Sequence, residues 1–156
     1  EKFAEAKKET HAAIYLYSQL SMNTAVAIAQ FDLARLFEFE NNTDSALYYA
    51  SLARSYWLKK EADLRVLIIN NMEVSLLLKR QQPEKAKTIQ ATSQMLVNKP
   101  DMHWQAVIDF YFTSMLLYRS LNDIGTAGDY QQRYLSKVAA LRAAGLQVKS
   151  YYENDR

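Results

Sequence analysis

Apolar residues recur at every third or fourth position along nearly the whole chain, and short polar clusters separate the blocks in which they do so. This spacing places the apolar side chains on one face of a helix. The separating clusters contain turn-forming residues, including Asn41-Asn42-Thr43, Pro83, Pro100 and Asn122-Asp123. No strand is required by this pattern. We therefore predict seven helices, near residues 2–20, 23–40, 44–59, 62–81, 84–97, 102–121 and 125–144.

The polar turns themselves repeat. Four of them end in an alanine, in the stretches "EKFAEA", "NNTDSA", "QQPEKA" and "NDIGTA". These alanines lie 40, 40 and 41 residues apart, at Ala6, Ala46, Ala86 and Ala127. A large apolar residue precedes the last three by nine positions, at Phe37, Leu77 and Tyr118. A small residue after a turn lets two helices approach closely, and each hairpin then buries its remaining apolar face against the next one.

This repeat predicts an all-α fold, an α-solenoid of antiparallel helical hairpins with about seven helices. We expect a single domain over residues 1–145, since a chain of 156 residues fits one core. It would comprise a partial repeat and three hairpins, at residues 1–20, 23–59, 62–97 and 102–144. Residues 146–156 are predicted to form a tail or a linker to a further domain.

The stretch "LARLFEFENNTDSALYYASLA", residues 33–53, resembles a tetratricopeptide repeat. Leu33-Ala34 and Phe37 match the Leu-Gly pair and the tyrosine of the first helix in that family, and Ala46 and Ala53 match the two alanines of the second helix. The resemblance implies a right-handed superhelix, here with a longer period than the usual repeat. The later copies depart from the motif, and hairpins of the HEAT type remain the structural alternative.

Composition and motifs argue against catalysis. The chain has no cysteine and two histidines, His11 and His103, and it contains neither a metal-protease motif nor a glycine-rich phosphate loop. We therefore predict no enzyme activity, no cofactor and no metal. A net charge of +2 is too small to indicate nucleic-acid binding. No apolar run is long enough for membrane insertion. The compartment is not fixed by the sequence; the cytoplasm is favoured, and the periplasm would suit part of a sensor kinase.

The family resemblance implies a concave groove formed by the first helix of each hairpin, which would bind an extended peptide. The arginines and the lysine would bind carboxylates, Asn71 the peptide backbone, and two phenylalanines apolar side chains. The predicted groove residues are Phe31, Arg35, Phe39, Asn71, Lys79, Phe112 and Arg119.

Two functional hypotheses follow. The first is a scaffold module without enzyme activity that binds a protein or peptide through this groove. The alternative is a ligand-sensing or dimerisation domain of a larger bacterial signalling protein, a sensor kinase or a transcriptional regulator. A homodimer is compatible with both hypotheses.

Overall fold

The computed structural model of the protein describes residues 1–154, which form seven α-helices and contain no strand. The helices are α1 (Lys2–Gln19), α2 (Asn23–Phe39), α3 (Thr43–Lys59), α4 (Asp63–Lys79), α5 (Pro83–Val97), α6 (Trp104–Ser120) and α7 (Ile124–Ala143). The predicted all-α fold with seven helices is confirmed. Each helix begins and ends within about two residues of its predicted position, because the turn residues that the sequence marks do end the helices.

The contacts divide the chain into two compact units, and the division falls inside α4. Unit 1 comprises Glu1–Ile69, and unit 2 comprises the described residues from Asn70 onwards. Within unit 1, α1 packs on α2 and α2 packs on α3. Within unit 2, α6 contacts α5 and packs on α7. Helices that follow one another through a very short turn and pack together form antiparallel hairpins.

The short turns share one backbone geometry. The residue after each helix C-cap adopts a left-handed conformation, with φ between 52° and 59°, at Ser21, Asn41, Glu61, Gln81 and Asn122. At Asn41 its N–H donates to the Glu38 carbonyl, and the N–H of Asn42 donates to the Phe37 carbonyl, both at 2.9 Å. The same pair of bonds recurs at the other four turns. This arrangement is a Schellman motif, which satisfies the last carbonyls of a helix and reverses the chain.

The next helix starts immediately after each left-handed residue. In α3 the N-cap is Asn42, whose side-chain oxygen accepts a hydrogen bond from the Ser45 N–H at 3.2 Å. In α7 the N-cap is Asp123, which accepts from the Thr126 N–H at 3.1 Å. The connection between α5 and α6 is different, because it is a longer loop that includes Pro100. There His103 caps α6 through its Nδ1, which accepts from the Gln105 N–H.

Three of the four repeated alanines lie at fully enclosed positions. Ala46, Ala86 and Ala127 each follow their N-cap by four residues, and all three are buried. Ala6, the first in the series, is only half-buried. A methyl side chain at a fully buried position lets a neighbouring helix approach closely, which explains the spacing seen in the sequence.

The predicted tail or linker begins at residue 146. Residues 146–154 contain no helix, and Val148, Ser150 and Tyr152 among them are buried. The last two residues of the predicted tail, 155 and 156, lie outside the described residues. We refer to residues 146–154 as the C-terminal segment.

Candidate peptide-binding surface

The predicted groove residues of unit 1 lie on α2. Phe31 and Arg35 are half-buried, and the Arg35 guanidinium carbon lies 5.0 Å from the centre of the Phe31 ring. Phe39, at the end of the helix, is 60% exposed and stacks on Phe3 of α1 with ring centres 6.1 Å apart. Phe31 and Arg35 therefore lie together, whereas Phe39 forms a separate aromatic pair at the other end of α2.

Two predicted groove residues of unit 2 lie in its interior. Asn71 is 2% exposed, and its side-chain amide donates to the Ala106 carbonyl at 3.0 Å. Phe112 is fully buried, with its ring edge-to-face against Tyr134 at 5.2 Å between centres. Neither side chain faces solvent, so neither lies on an open groove of unit 2. The prediction placed them by analogy with the family's first helices, and packing by other helices of unit 2 covers that face.

The two remaining cations of unit 2 are exposed. Lys79 is the last residue of α4. Arg119 lies in the last turn of α6 and donates to the Gln131 side chain of α7 at 3.4 Å. Arg119 thus bridges the two helices of its hairpin. Of the seven predicted groove residues, Phe31 and Arg35 share one cavity.

That cavity lies within unit 1, and we call it the α2–α4 cavity. Its volume is about 240 Å³. It is lined by Ile28, Phe31, Asp32, Arg35, Trp57, Arg65, Ile68 and Ile69. Three helices contribute: α2, α4, and α3 through the single indole of Trp57. Most of this lining is apolar or aromatic, with a few charged groups, which is the usual composition of a ligand site.

Two of the three charged groups of the α2–α4 cavity are exposed to solvent. Arg65 is exposed, and its guanidinium carbon lies 5.3 Å from the Trp57 ring centre, so that the indole face supports the cation. Asp32 is also exposed. A guanidinium in this position can bind a carboxylate through paired hydrogen bonds, while the isoleucines and Phe31 receive an apolar side chain.

Six of the eight lining residues were absent from the sequence prediction: Ile28, Asp32, Trp57, Arg65, Ile68 and Ile69. Ile68 precedes Asn71 by one helical step of three residues and Arg65 by two, so extending the predicted α4 face towards its N-terminus would have found them. Trp57 lies on a second helix of a hairpin. The family analogy considered only first helices, and nothing in the sequence indicates that this indole reaches the cavity.

A second cavity adjoins the first in unit 1. It lies between α1 and α2, has a volume of about 400 Å³ and is more open; we call it the α1–α2 cavity. It is lined by Glu9, Thr10, Ala13, Tyr17, Ala25, Ile28, Ala29 and Asp32. Ile28 and Asp32 belong to both cavities. The combined surface is therefore acidic near Glu9 and Asp32 and basic near Arg65.

Within residues 1–154, no cluster of three His, Asp or Glu side chains is placed to hold a metal ion. None of the helices in this range combines the length and the apolar character that a membrane-spanning helix requires. The combined cavity surface of unit 1 is the candidate site, because it places aromatic, apolar and charged side chains together.

Comparison with solved structures shows a similarity of fold. No protein-family model matches the chain, and no curated protein matches it. Among solved structures, the chain is similar to BtubC (BKLC) from P. vanneervenii, with a TM-score of 0.79 and 15% sequence identity. The similarity covers 95% of this chain but 60% of BtubC, so the chain spans less than two thirds of that protein. At this level of identity the similarity shows the fold alone.

Proposed function

We propose that this chain is a protein- or peptide-binding scaffold module without enzyme activity, built from tetratricopeptide-like hairpins, and that the partner binds on the combined cavity surface of unit 1. The observation that carries the proposal is the α2–α4 cavity, which places Arg65 on the Trp57 ring beside apolar residues. Rigid helices hold these groups, so little conformational entropy is lost when a partner binds.

The lining predicts the chemistry of the partner. An acidic side chain of the peptide pairs with Arg65, and an aliphatic side chain next to it contacts Ile28 and Ile68. A basic side chain further along the peptide lies near Glu9 and Asp32 in the α1–α2 cavity. Opposite charges at the two ends of the surface would fix the direction of the bound peptide, because the reversed peptide places like charges together.

The test is a selection from a random peptide library displayed on phage, with the full chain as bait. Enriched peptides are then synthesised, and their dissociation constants are measured by fluorescence anisotropy. We expect them to carry an acidic residue beside an aliphatic one. Arg65→Glu should weaken their binding about tenfold or more, which corresponds to about 1.4 kcal/mol.

The matched control is Arg133→Glu in α7 of unit 2. Arg133 is exposed, and its guanidinium carbon lies 5.5 Å from the Tyr130 ring centre, so the control removes the same kind of contact and makes the same change of charge. It should leave peptide binding unchanged. Equal losses in both variants, or the absence of any enriched peptide, would refute the proposal. The sensory or dimerisation role within a larger signalling protein stays a prediction.

A further inference from the structure

The C-terminal segment packs on α6 and α7 in a regular way. Residues 146–150 have no regular secondary structure, and a turn follows over residues 151–154. Burial alternates along the segment: Val148, Ser150 and Tyr152 are buried, whereas Lys149 and Tyr151 are exposed. Alternation with a period of two is typical of a chain that lies along a surface and inserts every second side chain.

Side chains of the helices hydrogen-bond to the backbone of four consecutive residues in this segment. Arg142 donates to the Val148 carbonyl at 2.9 Å, and Gln105 donates to the Lys149 carbonyl at 3.1 Å. The Ser150 N–H donates to the Tyr134 hydroxyl, and the Tyr151 N–H donates to the Asp109 carboxylate, at 2.9 and 2.8 Å. Backbone contacts of this kind do not depend on which side chains the bound segment carries.

Two further contacts select particular side chains. The Ser150 hydroxyl donates to the Asp109 carboxylate at 2.8 Å. The Tyr134 hydroxyl donates to the Glu153 carboxylate at the same distance. Asp109 is only 8% exposed, and burial is the largest of the effects that raise the pKa of the Tyr134 phenol. Asp109 and Tyr134 are therefore both held in a largely dry setting, where unpaired polar groups are costly.

The face of α6 that contacts the C-terminal segment corresponds to a face of α2 that is open to solvent. Asp109 is the sixth residue after the N-cap of α6, and Ile28 is the sixth after the N-cap of α2. Phe112 and Phe31 are likewise both the ninth. In α2 these positions line cavities that are open to solvent, whereas in α6 both side chains are buried.

We propose that the α6–α7 face is a peptide-binding site that is occupied by the chain's own C-terminal segment. The site takes a segment of the pattern aliphatic-x-Ser-x-Tyr followed by an acidic residue, as in residues 148–153, and a peptide of that pattern can displace the segment. Residues 144–147 lie between the end of α7 and the first buried residue of the segment, Val148. They are exposed, so the buried part of the segment can detach without unfolding the hairpin. This site is separate from the surface of unit 1, so either proposal can fail without the other.

The test uses a fluorescent peptide with the sequence of residues 146–154 and the full chain. Val148→Ala/Tyr152→Ala removes the two large anchors of the internal segment and leaves the helices unchanged. Because a tethered segment competes at millimolar effective concentration, we expect this variant to bind the peptide about tenfold or more tightly than the wild type does. Adding Asp109→Ala should abolish binding, whereas adding Asp129→Ala, an exposed carboxylate of α7, should not.

A second measurement uses only the wild type, so its result does not depend on whether the variants fold. Hydrogen exchange followed by mass spectrometry should show the amides of residues 148–152 exchanging faster than those of α6 and α7, since the segment opens locally. Exchange of the segment only together with α6 and α7 would overturn the proposal, because the segment would then be a fixed part of the fold. Peptide binding that is equal in the wild type and the variant, or insensitive to Asp109→Ala, would overturn it too.

Discussion

Units 1 and 2 use the same helix positions with different chemistry. In α3 of unit 1, the fourth, eighth and eleventh residues after the N-cap are Ala46, Ala50 and Ala53, all fully buried. In α5 of unit 2, the same positions hold Ala86, Gln90 and Ser93, which are also buried. At these three positions α3 therefore presents methyl groups, whereas α5 retains a single alanine and adds two polar side chains.

The polar residues of α5 hydrogen-bond to residues of neighbouring helices. The Gln90 side-chain amide donates to the hydroxyls of Ser114 and Tyr130 at 3.1 and 3.0 Å, and Ser93 accepts from Asn70 at 3.0 Å. Hydrogen bonds require particular partners, whereas methyl packing requires only shape. This difference explains why the repeat resemblance is clear around Ala46 and weak around Ala86, since polar pairs have replaced the apolar motif residues.

The two units also differ in which helix faces are exposed to solvent. Unit 1 leaves two adjoining cavities open to solvent, and aromatic and charged residues of α2 and α4 form part of their lining. Unit 2 covers the corresponding positions of α6, Asp109 and Phe112, and its own C-terminal segment lies hydrogen-bonded to Asp109. Under the two proposals, equivalent helix faces bind an external partner in unit 1 and a segment of the chain itself in unit 2.

The largest loss of stability is expected at the position where α3 and α5 both have a buried alanine. Ala46→Trp and Ala86→Trp place an indole at fully buried positions, and each should lower the free energy of unfolding by about 3 kcal/mol, since overpacking forces the helices apart. Urea denaturation followed by circular dichroism measures the loss. The control is Ala139→Trp, an exposed position of α7 that should change stability little. Mild effects at both buried sites would contradict the close helix contact.

A smaller loss of stability is expected from removing a buried hydrogen bond of α5, which has no equivalent in α3. Gln90→Leu keeps the side-chain volume but leaves the Ser114 hydroxyl without its donor, and should cost about 2 kcal/mol of unfolding free energy. The Tyr130 hydroxyl is less affected because Gln94 also donates to it, at 2.7 Å. In a double-mutant cycle with Ser114→Ala, the coupling energy should be about 1 kcal/mol. Additive effects would show that the buried bond does not contribute.

The smallest effect concerns the helix caps and pH. Hydrogen bonds from the Thr126 hydroxyl and N–H lower the pKa of the Asp123 carboxyl, whereas the α3 cap, Asn42, does not titrate. A lowered pKa in the folded state means that the stabilisation is present above the unfolded pKa and is lost as pH falls through the folded value, below about pH 4. The stability difference between wild type and Asp123→Asn, measured by thermal unfolding, should therefore shrink on acidification.

The control for this measurement is Asp129→Asn, since Asp129 is an exposed aspartate of the same helix. The difference in thermal stability between Asp129→Asn and the wild type should not shrink on acidification in the way expected for Asp123→Asn. A difference between wild type and Asp123→Asn that stays constant down to pH 3 would contradict the role of the ionised cap.

The sequence predicts the helices well because local signals determine them: apolar periodicity defines each helix, and turn residues end it. It predicts the candidate sites less well. Asn71 and Phe112 were assigned to a groove, yet whether a helix face is exposed depends on which distant residues pack on it. The contact of Asp109 with Ser150 joins residues 41 positions apart, and no local pattern in "LQVKSYYEN" indicates it.

The spacing of the left-handed turn residues has a further consequence. Ser21, Asn41, Glu61 and Gln81 are 20 residues apart, and Asn122 follows 41 later, so the one additional residue lies between Gln81 and Asn122, a stretch that includes the longer α5–α6 loop. Each residue advances an α-helix by about 100° of rotation. One residue inserted within a helix would turn its remaining part by that angle and bring buried positions to the surface. The chain can therefore gain or lose residues in two ways without turning buried positions outwards. The change can be a whole module of 20 residues, or it can lie in the α5–α6 loop, where no tight turn fixes the rotation of the next helix.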